Sequence, residues 1–148
     1  MRRAHLARLA PCGLNCGGCL AFSGGPVQEA AQSLIRALGP DFAPYAERFT
    51  AMNPVFADYP AFARLLEFLG HGSCGGCRQS GCLFQACGVH ACIRDKGLDF
   101  CFQCDDFPCD AHGLPPALAE RWRTNNERMR AEGPEAYWLR IKDTPRYP

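Results

Sequence analysis

Residues 73–109 read SCGGCRQSGCLFQACGVHACIRDKGLDFCFQCDDFPC. Eight of the chain's eleven cysteines fall in this stretch, at positions 74, 77, 82, 87, 92, 101, 104 and 109. Its large apolar residues are few and scattered, with no helical or alternating period sustained along it. Ordering each residue costs about 1 to 2 kcal/mol of backbone entropy, and the segment 71–113 offers little apolar area to offset that cost. Metal is expected to supply the stabilisation instead, since a structural zinc site contributes roughly 10 to 16 kcal/mol of apparent binding energy in small peptides.

On either side the pattern turns helical. Pro26 stands where a first-turn proline would, and Val27, Ala30, Ala31, Leu34, Ile35 and Leu38 recur at helical spacing until Gly39-Pro40 stops them. A shorter helix is predicted from Pro44 to Met52, ended by Asn53-Pro54. Asp58 is a candidate N-cap with Pro60 in the first turn, and Phe62, Leu65, Leu66 and Leu69 follow on one face before Gly70. Leu83 to Lys96 is partly helical in pattern and ends at Gly97. Pro115-Pro116 can open a helix whose Leu118, Trp122 and Met129 face inward while Arg121, Arg123, Glu127, Arg128 and Arg130 stay wet. Gly133-Pro134 closes it, and a last short helix carries Tyr137, Trp138 and Ile141. The expected fold is mainly α: one small domain over residues 1–148, with helical blocks at about 26–70 and 115–142 and an irregular, metal-stapled segment of knuckle turns at about 71–113.

Length and composition agree with this reading. A chain of 148 residues, 47% hydrophobic and 21% charged, fits one globular domain and neither a disordered nor a fibrous architecture. The first ten residues lack the continuous apolar run of a secretory signal, and no stretch approaches the ~20 apolar residues that span a bilayer. A cytoplasmic location without membrane contact is therefore expected. In a reducing compartment eleven cysteines favour metal over disulfides. The formal charge is +1 overall, but it divides into +3 over residues 1–10, −4 over 11–114 and +2 beyond. Eight thiolates on two divalent ions would move the total to about −3. A negative cysteine region argues against a nucleic-acid partner.

Three pairs have the C-x2-C spacing of a metal knuckle: Cys16 with Cys19, Cys74 with Cys77, and Cys101 with Cys104. Two share the sequence CGGC, whose glycines let the backbone turn tightly enough for both sulfurs to reach one ion. Each pair is expected to serve one site, and Cys12, Cys87, Cys92 and Cys109 complete the shells. On a regular helix Cys87 and Cys92 would point about 140° apart, so either they serve different sites or the chain there is not helical. Zinc, as two ions, is the leading cofactor; a [4Fe-4S] cluster is the alternative, because four thiolates suit both.

Cys12, Cys16 and Cys19 spell C-x3-C-x2-C, which resembles the cluster motif of radical SAM enzymes, but those need most of a (β/α) barrel and no such alternation is present. A thioredoxin-type dithiol would need a βαβ setting, equally absent from the pattern. His90 and His112 each stand in C-x2-H relation to a cysteine and are secondary ligand candidates; His5 and His71 are weaker. Trp122 and Trp138 read as packing anchors.

The opening PCGLNCGGC, the central CGGC, the run C-x4-C-x8-C-x2-C-x4-C from Cys87 to Cys109 with Lys96-Gly97 and FPC, and RWRTNNERMRAEGPEAYW near the end together resemble a family of prokaryotic cysteine-rich domains of unknown function. The resemblance implies zinc binding and no established enzymatic activity. Ten cysteines match its pattern, namely Cys12, Cys16, Cys19, Cys74, Cys77, Cys87, Cys92, Cys101, Cys104 and Cys109, while Cys82 is extra. Between Cys87 and Cys92 the segment GVHA departs from it. With no acid, base and nucleophile set beside the thiols, the expected role is a non-enzymatic interaction or adaptor module for a protein partner. The rival is an iron–sulfur protein in electron transfer or redox sensing.

Overall fold

The computed structural model describes residues 3–147. The chain is 60% helical. In order its α-helices are α1 (Arg3–Arg8), α2 (Pro26–Leu38), α3 (Phe42–Phe49), α4 (Tyr59–His71), α5 (Cys77–Ser80), α6 (Val89–Lys96), α7 (Pro116–Glu132) and α8 (Pro134–Ile141). Among the described residues there is no strand, only an isolated antiparallel bridge between Leu9 and Asn15. The mainly α expectation is met.

Two compact units emerge, one formed by residues 1–19 and 74–148 and the other by the intervening 20–73. In the intervening unit, Pro26 opens α2 and Gly39 ends it, as the sequence requires. Gln28 and Gln32 donate to the Gly70 carbonyl at 3.2 and 3.0 Å, pinning the end of α4 to α2. A ladder of rings (Phe42 on Tyr59 at 5.1 Å, Phe49 on Phe56 at 5.4 Å) fixes α3 against the entry to α4. Asp58 makes no capping bond. The Asn53 carboxamide instead accepts from Val55 N–H at 3.0 Å and starts a 3-10 turn over Pro54–Asp58 that runs into α4. The third helix spans Phe42–Phe49 rather than 44–52, because Ala51 and Met52 N–H bond the Arg48 and Phe49 carbonyls in tighter i→i−3 turns and Asn53 starts the next turn. Of the apolar stripe on α2 and α4 only Ala31 and Leu66 are buried, while Leu65 is 57% and Phe68 54% exposed.

The discontinuous unit holds every cysteine and two adjoining cores. Leu9, Phe100, Met129, Tyr137 and Trp138 form the first. Val89, Ile93, Cys101, Phe107 and Trp122 form the second. This corrects the expectation that residues 71–113 build no core. The apolar side chains of that segment are sparse, but Val89, Ile93, Phe100 and Phe107 join the cores that Trp122 and Met129 of α7 complete, and Phe107 meets the Trp122 ring edge-on at 4.9 Å. Asn126, fully buried, donates to Trp122 O and accepts from Phe102 N–H, both at 3.0 Å, so α7 and the cysteine segment are also tied by satisfied polar bonds. Arg78 on α5 reaches the Leu6, Leu9 and Asp99 carbonyls at 3.0, 3.1 and 2.7 Å with its guanidinium 4.9 Å over Phe100.

The wet face of α7 is as expected, with Arg121, Arg123, Glu127, Arg128 and Arg130 all exposed. The sixth helix begins at Val89, not Leu83, because Cys82–Ala86 remain exposed and make turns. The short α1 was not expected from pattern; Arg78 holds the carbonyls at its C-terminal end.

Candidate metal centres

The eleven thiols sort into two groups, both inside the discontinuous unit. The smaller is the clearer. Cys92 comes from the middle of α6, Cys101 and Cys104 bracket a single 3-10 turn (Cys101–Gln103), and Cys109 follows the cis Phe107–Pro108 peptide. All four line one cavity of about 310 Å³ with Ile93, Phe107 and Trp122 as its apolar wall. Burial pushes the Cys101 thiol up to about 11, and its neighbours Cys109, Cys92 and Cys104 push the same way. Trp122 opposes this. Its indole N–H is buried, makes no hydrogen bond of acceptable geometry, and lies near enough to Cys101 Sγ to favour the thiolate. A buried donor left over beside a thiol suits a charged sulfur better than a neutral one. At the rim Lys96 donates to Cys104 Sγ at 3.0 Å and to Asp106 at 2.6 Å, and Asp106, then Cys104, raises the Lys96 pKa.

The larger group gathers around the loop that follows α1. Ala10 N–H bonds Leu14 O at 2.9 Å and Gly13 N–H bonds Ala10 O at 2.9 Å, a tight reversal that points Cys12 and Cys16 to one side. Gly13 has φ +80°, and a Cβ there would strike Asn125 Cβ on α7, so only glycine lets the loop sit this close. The Cys12 thiol is pushed up to about 12 by burial, eased by the Leu14 N–H, and raised again by Cys16 and Cys87. The Cys16 thiol is raised by burial and eased by the Cys77 N–H, with Cys19 and Cys74 in electrostatic reach. For Cys77 burial leads, followed by Cys12, Cys16, Cys82 and Cys87. Cys87 is raised by burial, while the N–H groups of Val89 and His90 at the start of α6 favour its thiolate and Cys82 bonds its sulfur. Cys12 and Cys77 are thus each within electrostatic reach of both Cys16 and Cys87, with Cys82 near Cys77 and Cys87 and with Cys19 and Cys74 near Cys16.

Cys87 and Cys92 thus sit in different groups. The Cys101/Cys104 pair stays together, and Cys19 and Cys74 lie within electrostatic reach of Cys16. Cys82 is exposed and accepts from Phe84 N–H at 3.4 Å. His112 is engaged elsewhere, its Nδ1 accepting from Leu114 N–H at 2.9 Å and its ring 4.7 Å from Trp122. His90 is half-buried on α6. Among the described residues no three His, Cys, Asp or Glu side chains stand close enough, as placed, to hold an ion. The donor chemistry nonetheless fits a thiophilic ion: thiols brought together from distant segments, several accepting backbone N–H bonds, with a stranded indole donor beside one. Sequence reading missed Trp122, Lys96, Asp106 and Arg146 as neighbours of sulfur. Asp106, two residues past Cys104, left a local signal, whereas Lys96 reaches Cys104 from eight residues earlier.

A sequence model of the family described as Protein of unknown function (DUF3795) matches residues 8–113. No curated protein and no solved structure matches the chain.

Proposed function

The chain belongs to the DUF3795 family, and from that premise and the thiol geometry we propose that it is a zinc-stapled interaction module. One ion would be held by Cys92, Cys101, Cys104 and Cys109, and a second by Cys12, Cys16, Cys77 and Cys87, with Cys19 and Cys74 beside it. The observation that carries the reading is the convergence of Cys92, Cys101, Cys104 and Cys109 on one apolar-walled cavity beneath Trp122. Bound zinc would supply charge neutralisation for the thiolates and cross-links between segments far apart in sequence, with no chemistry of its own. Exposed apolar side chains on the intervening unit, among them Met52 at 81% and Phe68 at 54%, support a role in which a protein partner is met.

The test is metal analysis of protein purified without oxygen, together with its native mass. Two zinc ions per chain and a colourless solution are the expected outcome. Brown protein containing iron and sulfide overturns it in favour of the [4Fe-4S] reading, which draws on the same thiols.

A further inference from the structure

Near the loop that carries Cys12 and Cys16, on the side facing α7 and the residues after α8, lies a cavity of about 230 Å³ bordered by Gly13, Leu14 and Asn15. Four arginines line it (Arg121, Arg128, Arg140 and Arg146), and no acidic side chain does. Arg140 is spent: it pairs with Glu132 and covers the Tyr137 ring at 5.0 Å. The other three have no acidic partner within ion-pair distance among the described residues. Arg121, Asn125 and Arg128 follow one another at i, i+4 and i+7 on α7, so they share one stripe of the helix within about 60°. Arg146 approaches from the other wall. Its Nη1 is buried and has no hydrogen-bond partner, which leaves a charged donor unsatisfied unless something fills the cleft.

We propose that this cleft binds a small phosphate monoester, with its phosphoryl group held between the guanidiniums of Arg121, Arg128 and Arg146 and the Asn125 carboxamide. Guanidinium forks match both carboxylate and phosphate, but Arg121 and Arg128 without acidic partners, joined by Arg146, which also faces Cys12 and Cys16, suit a dianion better than a single carboxylate. The volume lies below the roughly 300 Å³ at which sites for drug-sized ligands begin, so the ester carries only a few further non-hydrogen atoms. A nucleic-acid strand would need a continuous basic track, whereas residues 11–114 carry a net −4. This binding goes beyond the zinc-stapled reading and does not depend on which ion the thiols hold.

The experiment is calorimetric titration of the metal-replete full chain at low salt with glycerol 3-phosphate, inorganic phosphate and acetate. Saturable binding of both phosphates, with acetate much weaker, is expected. Arg121→Gln and Arg128→Gln should each weaken glycerol 3-phosphate about tenfold or more without changing metal content, which separates this outcome from damage to the thiol sites. Arg123→Gln, outside the lining residues on the same helix, should bind as the parent does. The proposal is overturned by the absence of heat up to about 10 mM phosphate ester, by equal affinity for acetate, by full binding in the Arg121 and Arg128 variants, or by binding confined to a single-stranded oligonucleotide.

Discussion

Tyr137 on α8 donates a 2.7 Å hydrogen bond from its phenol to the carbonyl of Gly13, 124 residues earlier, and the contact is buried. It fixes the loop between Cys12 and Cys16 from behind. Tyr137→Phe should leave that carbonyl unpaired and cost about 1 to 3 kcal/mol, read as a lower urea midpoint at unchanged metal content. An unchanged midpoint would mean that water replaces the phenol without loss.

The thiol grouping sets the outcome of cysteine substitution. Cys104→Ser and Cys77→Ser should each lose about one ion per chain and destabilise the fold, whereas Cys82→Ser should keep its full metal content. Equal losses from Cys82 and Cys77 would show that the exposed thiol is a ligand.

Removing the ions should separate two halves of the cysteine segment. Between Cys74 and Gly88, among the described residues, only Gly76 and Cys77 are buried, while Val89, Ile93, Phe100 and Phe107 are packed into the cores with α7. After chelation, amide exchange should accelerate across 74–88 and stay slower over 89–107. Uniform exchange over both would mean that the ions, and not Trp122 and its neighbours, order the second half.

The metal-free protein should also respond to alkali. Burial raises Cys12 to about 12 and Cys101 to about 11 from the usual 9.0. Folded-state values above the unfolded ones stabilise below about pH 9, where both states keep the proton, and that stability is lost as pH rises through 9 toward 11 and 12. Denaturant midpoints of chelated protein should therefore fall on the alkaline side. The loaded protein should fail on the acid side, because protons compete with the ion for sulfur. A chelated sample equally stable at neutral pH and at about pH 10.5 would contradict the thiols' burial.

Arg78→Lys should cost about 1.5 to 3 kcal/mol, since an ammonium cannot reproduce the guanidinium's bonds to the Leu6, Leu9 and Asp99 carbonyls. A thermal melt of the loaded variant measures it; a melt superimposable on the parent's would show the three bonds to be redundant.

What the sequence disclosed is what short-range chemistry determines. Pro26 and Gly39 bound α2 by their own φ preferences, and Gly97 in a left-handed turn ends α6. The helical angle between Cys87 and Cys92 does not apply, because α6 begins at Val89 and Cys87 lies before it. Pairing across the chain was not legible. Val89, Ile93 and Phe107 look isolated until Trp122 supplies their common neighbour, and α1 has no pattern of its own without the Arg78 bonds. Arg121 and Arg128 read as a solvated face because their third partner, Arg146, arrives from beyond the next helix.

The stems of the intervening unit end on cysteines: Cys19 precedes it and Cys74 follows it. Just inside them the Cys77 N–H bonds the Cys16 sulfur, so the two chain ends are clasped together whatever lies between. Closing a flexible loop grows costlier only with the logarithm of its length, about 0.6 kcal/mol for each doubling. Residues 20–73 therefore occupy a slot whose cargo can lengthen, shorten or be exchanged with little thermodynamic effect on the thiol clusters that hold it shut.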